Sequence, residues 1–179
     1  YKLMRYVIVS VVKGEAGKFN NDLRKDIFKK FKARSSKLPA HFTIKSPFEY
    51  DGSIKDLEYS IKEICSTEKA APYIIDGYNH FDNRVIYMDV NMSTEGKNVH
   101  DKLIETLSKI PYINFTKSDG KDKIFHITLS SKKIQKIYTE LWDYITRFKC
   151  TFECTFDNIC IYKWEENTWQ LHKEFIFKN

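Results

Sequence analysis

Short apolar runs along this chain alternate with longer stretches in which apolar residues recur three or four apart. The run Tyr6-Val7-Ile8-Val9-Ser10-Val11-Val12 is almost wholly β-branched and predicts a strand over 5–12. Gly14 and Gly17 are expected to break it. Leu23, Ile27, Phe28 and Phe31 then fall at helical spacing, predicting a helix over 19–31 with Asn20 or Asn21 as cap. Ile54, Leu57, Ile61 and Ile64 predict a second helix over 53–67, with Asp56 and Glu58 near its positive end. Strands over 73–78 and 85–90 follow, turning at Asp82-Asn83.

The second half opens with a helix over 99–110, halted by Pro111. A polar stretch over 116–123 turns at Ser118-Asp119-Gly120 and leads into a buried-type strand over 123–129. Ile134, Ile137, Leu141 and Ile145 stripe a helix expected over 131–148. Three strands, over 151–156, 159–164 and 168–177, are expected to close the chain as a meander. Each half thus sets a histidine-bearing strand before a helix and further strands. That order reads as an internal duplication, with two α/β lobes facing each other across a cleft.

The histidine strands carry a repeated tetrad. His41-Phe42-Thr43-Ile44 and His126-Ile127-Thr128-Leu129 both read histidine, apolar, threonine, apolar. Successive strand side chains point to opposite faces, so His and Thr share one face and the apolar pair the other. Two such strands side by side would gather two imidazoles and two hydroxyls around one volume. Such a set suits metal-independent cleavage of a phosphodiester. The imidazole pKa, about 6.5, lets one ring act as base and another as acid near neutral pH.

Length and composition bound the rest. The chain has 179 residues, 42% hydrophobic and 30% charged, enough apolar material for one compact domain over 1–179. No apolar run is long enough to span a bilayer, and no signal pattern opens the chain, so a cytoplasmic protein without membrane contact is expected. Net charge is +6, which tilts the expected partner toward an anion such as a nucleotide or RNA. The four cysteines form no Cys-x-x-Cys pair and are expected to be reduced, buried thiols. No Asp/Glu/His cluster has metal spacing and no glycine-rich phosphate loop follows a strand, so neither metal nor cofactor is expected. His80, His100 and His172 lack a threonine two residues on and are read as surface or structural.

These residues resemble the two-histidine (2H) phosphoesterase superfamily, also called 2′-5′ RNA ligase-like or cyclic phosphodiesterase. Three segments carry the resemblance: His41 to Ile44 with Lys45 and Phe48 after it, the strand over 84–90, and Phe125-His126-Ile127-Thr128-Leu129. Asn158-Ile159-Cys160-Ile161-Tyr162 looks like the family's penultimate strand. The resemblance implies an α+β protein: a two-lobed, duplicated α/β fold whose antiparallel sheets face a central cleft. It also implies a metal-independent phosphoesterase that hydrolyses, or reversibly forms, a cyclic phosphate or phosphodiester of a nucleotide or RNA end. His41, Thr43, His126 and Thr128 are then the expected catalytic set. Lys45 and Lys132 are candidates for attracting phosphate, and Tyr87 and Tyr162 for stacking a base. Members that process RNA termini often carry an arginine shortly after the second motif, where this chain has Ser130-Ser131-Lys132-Lys133. The expected assembly is a monomer. Two other functions compete: a nucleotide- or RNA-binding module without chemistry, and a phosphoesterase for a non-RNA metabolite.

Overall fold

The structure, a computed structural model, describes residues 3–178. Its strands are β1 (Met4–Val11), β2 (His41–Tyr50), β3 (Ala71–Phe81), β4 (Val85–Met92), β5 (His126–Ser130), β6 (Thr151–Phe156), β7 (Asn158–Glu165) and β8 (Thr168–Ile176). Its helices are α1 (Gly14–Phe31), α2 (Lys55–Thr67), α3 (Thr94–Ser108) and α4 (Tyr138–Ile145). The strands form two antiparallel sheets, ordered β2-β1-β7-β8 and β5-β4-β3-β6. This is a mixed α/β fold with two four-stranded sheets.

The two sheets are not the two halves of the sequence. Strands β3 and β4, which follow the first histidine strand, pair in the sheet of the second. Strands β7 and β8 return to the first. The terminal meander is therefore not formed, because β6 pairs with β3. Only Asp157 separates β6 from β7, so the chain changes sheets within one residue. The next residue, Asn158, is fully buried, and its side-chain amide accepts from Val11 N at 2.9 Å and donates to Val11 O at 3.0 Å. That pair of bonds continues the ladder where β1 ends. Strand alternation specifies which face is buried and leaves the partner strand open, which is why the sequence order suggested a simpler arrangement.

Helix α1 begins at Gly14 and runs through Gly17, rather than starting beyond both glycines. A Cβ at Gly17 would lie 2.1 Å from Val12 O, so only glycine permits this close return. The helix expected over 131–148 is shorter. Lys133 takes a left-handed φ of 56°, a single 3-10 turn follows over Gln135–Ile137, and α4 starts only at Tyr138. Ser93 caps α3, its Oγ accepting from Gly96 N at 3.1 Å. No helix among the described residues is long and apolar enough to cross a membrane.

One core joins both sheets, and Phe42 is its hub. This apolar member of the first tetrad packs edge-on against Tyr73, Phe125 and Phe156, with centroids 5.7, 5.5 and 5.2 Å away. All three belong to β3, β5's approach or β6, on the side of the second sheet. Burying the apolar side of the first tetrad thus brings the two histidine strands together.

Candidate active site

His41 opens β2 and His126 opens β5, and each of these strands lies at one edge of its sheet. Both tetrads show the same alternation: His and Thr half-buried, the apolar pair buried to 1% exposure or less. The backbone treats the two rings identically. His41 Nδ1 lies 2.7 Å from Pro39 O and His126 Nδ1 lies 3.0 Å from Ile124 O, in each case the carbonyl two residues upstream. A carbonyl can only accept, so this hydrogen bond assigns the hydrogen to Nδ1 and leaves the Nε2 lone pair of each neutral ring free.

Helix α1 holds both strands. Asn20 Nδ2 donates to Thr128 O at 3.2 Å, and the adjacent Asn21 accepts from Ala40 N at 3.0 Å. These asparagines lie inside the helix, so neither is its cap. Asn20 is fully buried. A buried amide with specific partners fixes the spacing of what it bonds.

A cavity of about 560 Å³ is lined by Thr43 from the first tetrad and His126 from the second, with Phe81, Asp122 and Lys123. His41 and Thr128 occupy the same strand faces, two residues from these. Phe81 and Tyr87 pack on the His126 ring at centroid distances of 5.0 and 5.1 Å. Burial pushes His41 down from 6.5 to about 4, assisted by the positive charges of Arg24 and His126 and opposed by the Pro39 carbonyl. His126 is also lowered, by burial and then by Lys123, against the Ile124 carbonyl. The charge of His126 is among the causes that lower His41, so the two rings lie within electrostatic reach.

Lys123 was legible in the sequence only as the start of a strand, yet it is a cation in this cavity. Its Nζ donates to Thr43 O at 3.2 Å and to Ile44 O. Burial lowers it to about 8. The segment carrying it is anchored by Asp119, which accepts from Ser46 N at 2.9 Å, Thr116 N at 2.8 Å and Lys45 Nζ at 2.9 Å. Burial alone would raise the Asp119 carboxyl, but the Ser46 and Thr116 donors and Lys45 hold it well below the usual carboxylate range. The turn expected at Ser118-Asp119-Gly120 forms as a 3-10 turn over Lys117–Asp119, and its buried Asp119 is an internal anchor.

The other expected contacts need correction. Lys45 is fully buried and bound to Asp119, so it cannot reach a phosphate in the cleft. The buried Asp119 carboxylate, with the carbonyl and hydroxyl of Ser46, overrode the exposure its charge suggests. Lys132 lines a different cavity, on the Pro39 side of the first tetrad. Tyr87 is 2% exposed and buttresses His126 rather than offering an open stacking face. Tyr162 lies on the face of β7 that pairs with Val7, in a small buried cluster with Val9, Leu38 and Cys160. His100, expected to be surface or structural, needs no such correction: it is buried against Phe125 at a centroid distance of 4.9 Å.

The family model for the 2′-5′ RNA ligase superfamily matches residues 15–168. The chain belongs to this superfamily. A protein of Geobacillus sp. (strain WCH70) named "Putative phosphoesterase" is 22% identical over 179 residues, covering 97% of this chain and 96% of that one. TT0787 of Thermus thermophilus superposes with a TM-score of 0.67 at 14% identity, covering 97% of this chain and 98% of that chain. E. coli LigT complexed with NADP+ superposes with a TM-score of 0.66 at 11% identity over 100% of both chains. The two-sheet arrangement is therefore the LigT-like fold, and membership of the 2′-5′ RNA ligase superfamily supports activity of the phosphoesterase type.

Proposed function

We propose that the protein is a metal-independent phosphoesterase that opens a 2′,3′-cyclic phosphate at the end of a nucleotide or RNA, with His41 and His126 as its acid–base pair. The duplicated Nδ1-to-carbonyl geometry carries this reading. It leaves two Nε2 atoms, on neighbouring edge strands, free to exchange protons with one substrate. E. coli LigT has been solved complexed with 3′-AMP, which supports a nucleotide ligand for the shared fold.

Burial holds His41 down to about 4, so it is the ring that stays neutral and serves as base in the hydrolytic direction. It takes a proton from water as the water oxygen bonds to phosphorus. Protonated His126 gives its proton to the ring oxygen as that P–O bond breaks, and the product is a phosphomonoester. The Thr43 and Thr128 hydroxyls and the Lys123 ammonium donate to the non-bridging oxygens, where charge gathers. The cyclic ester already holds the leaving oxygen near its in-line position.

Turnover of 2′,3′-cyclic nucleotides should survive a chelator, and no turnover of any cyclic nucleotide or cyclic-ended oligonucleotide would overturn the reading. The pH profile gives a sharper test. On the acid side, kcat/KM should fall only as pH drops toward about 4, where His41 takes up a proton. On the alkaline side it should fall with a midpoint below 6.5, as the depressed His126 loses its proton. The two midpoints belong to the coupled pair. An acid midpoint at 6.5 or above would contradict the assignment.

A further inference from the structure

The second cavity flanking the first tetrad has a different character. It also measures about 560 Å³, and its lining includes Arg24, Lys25, Arg34, Lys37 and Lys132, with no acidic residue. None of these five cations forms a salt bridge among the described residues, whereas Lys13, Lys18, Lys97 and Lys102 elsewhere all do. Arg24 lies at the base of the cluster. Its guanidinium donates to Asn20 Oδ1, Asn21 Oδ1, Ser35 Oγ, Ser36 O and Leu38 O, at 2.7–3.1 Å. All five acceptors are neutral, so its hydrogen bonds are satisfied while its charge is not compensated. Burial lowers its pKa, as expected of a cation lacking a counter-ion.

The cavity adjoins the catalytic strands. Leu38 and Pro39 form part of its wall, and the Pro39 carbonyl is the group that orients His41. Lys132 follows β5 by two residues, and its N–H donates to Arg34 O at 3.2 Å, tying the opposite wall to the second histidine strand. Arg34 stacks over Phe28 with its guanidinium carbon 4.4 Å from the ring centroid. That contact fixes its plane and leaves its edge for an anion.

We propose that this cavity is a second anion subsite, which takes a phosphate group on the 5′ side of the nucleotide whose phosphate reacts between His41 and His126. Arg24 supplies the field from below, and Lys25, Arg34, Lys37 and Lys132 supply the direct donors. The proposal rests on the function given above for the histidine pair. The preferred substrate carries two phosphates one nucleotide apart. The second is either an internal phosphodiester or a 5′-terminal phosphate.

The test compares three substrates: a 2′,3′-cyclic mononucleotide, the same nucleotide with a 5′-phosphate, and a dinucleotide ending in a 2′,3′-cyclic phosphate. Wild-type protein should show a higher kcat/KM for at least one of the last two. Which one distinguishes a terminal phosphate from an internal diester. In the double variant Lys25→Gln/Arg34→Gln that preference, measured as a ratio to the plain cyclic nucleotide, should fall by about 10- to 100-fold. Both side chains are exposed, so folding should be retained, as circular dichroism will verify. No wild-type preference, or a ratio unchanged in the variant, overturns the second subsite. If wild-type protein turns over none of the three, the phosphoesterase reading fails and binding decides the subsite separately. Equilibrium binding of the dinucleotide should still weaken by about 10- to 100-fold in the variant, and equal affinity would overturn it.

Discussion

His41→Ala and His126→Ala should each lower turnover of a 2′,3′-cyclic nucleotide by about 10²- to 10⁴-fold, the range typical of a positioned proton-transfer group. Folding is not the cause. Both rings are half-buried, and among the described residues their only hydrogen bonds run to the Pro39 and Ile124 carbonyls. In the proposed mechanism, loss of His41 removes the base that accepts the proton of water, whereas loss of His126 removes the acid that protonates the departing oxygen. The double variant should be little slower than the slower single variant, because groups that act in one transition state are not additive. Thermal melts should remain close to wild type. A single variant with normal turnover would remove its ring from the mechanism.

Asp119→Ala should destabilise the fold by about 3–5 kcal/mol, measured by denaturant unfolding. The Lys45 and Asp119 side chains are 0% and 1% exposed, so removing the carboxylate leaves an ammonium buried without its partner. It also releases the Ser46 and Thr116 amides, which donate to the same group. Adding Lys45→Met to Asp119→Ala should recover a substantial part of the loss, because an uncompensated charge costs more than an apolar replacement. Activity should suffer too. The segment from Thr116 to Lys123 presents the Lys123 ammonium to the cavity, and Ile124 beyond it orients His126. An Asp119→Ala protein within about 1 kcal/mol of wild type would show that the pair does not anchor this segment.

Acid should weaken the fold in two stages. His41 and His100 both resist protonation until about pH 4, against an ordinary value of 6.5. Burial is the main cause in both. Between these limits the unfolded chain binds protons that the folded chain refuses, so stability falls as pH drops through that window. The depressed Asp119 carboxyl adds stability above the ordinary carboxylate value, which is lost at lower pH still as the folded group protonates. Melting temperatures between pH 7 and pH 4 should therefore decline steadily, and a flat profile would contradict the burial of these imidazoles.

The tetrads were legible because strand alternation converts a four-residue pattern into two faces, and both strands obey it. Helix and strand types followed from apolar spacing, with α1 longer than expected because Gly17 serves close packing instead of a break. Sheet membership was not legible. The one-residue passage at Asp157 and the exchange of β3–β4 and β7–β8 between sheets depend on contacts far apart in sequence. Charge misled at Lys45, where a buried carboxylate made a lysine internal, and concealed Lys123, whose neighbours read simply as strand. The Asn20-Asn21 pair had one signal available: two adjacent amides just ahead of an apolar helical stripe, which suggested a cap but serve as cross-links to both histidine strands.

If both imidazoles act on one phosphorus atom, a crystal structure of the complex with a nucleoside 3′-monophosphate will show it. The phosphate should lie between β2 and β5 within hydrogen-bonding distance of His41 Nε2 and His126 Nε2, with Thr43 and Thr128 hydroxyls on its oxygens. A phosphate bound to only one histidine, or seated elsewhere with both Nε2 atoms turned from it, would rule out the paired action of His41 and His126.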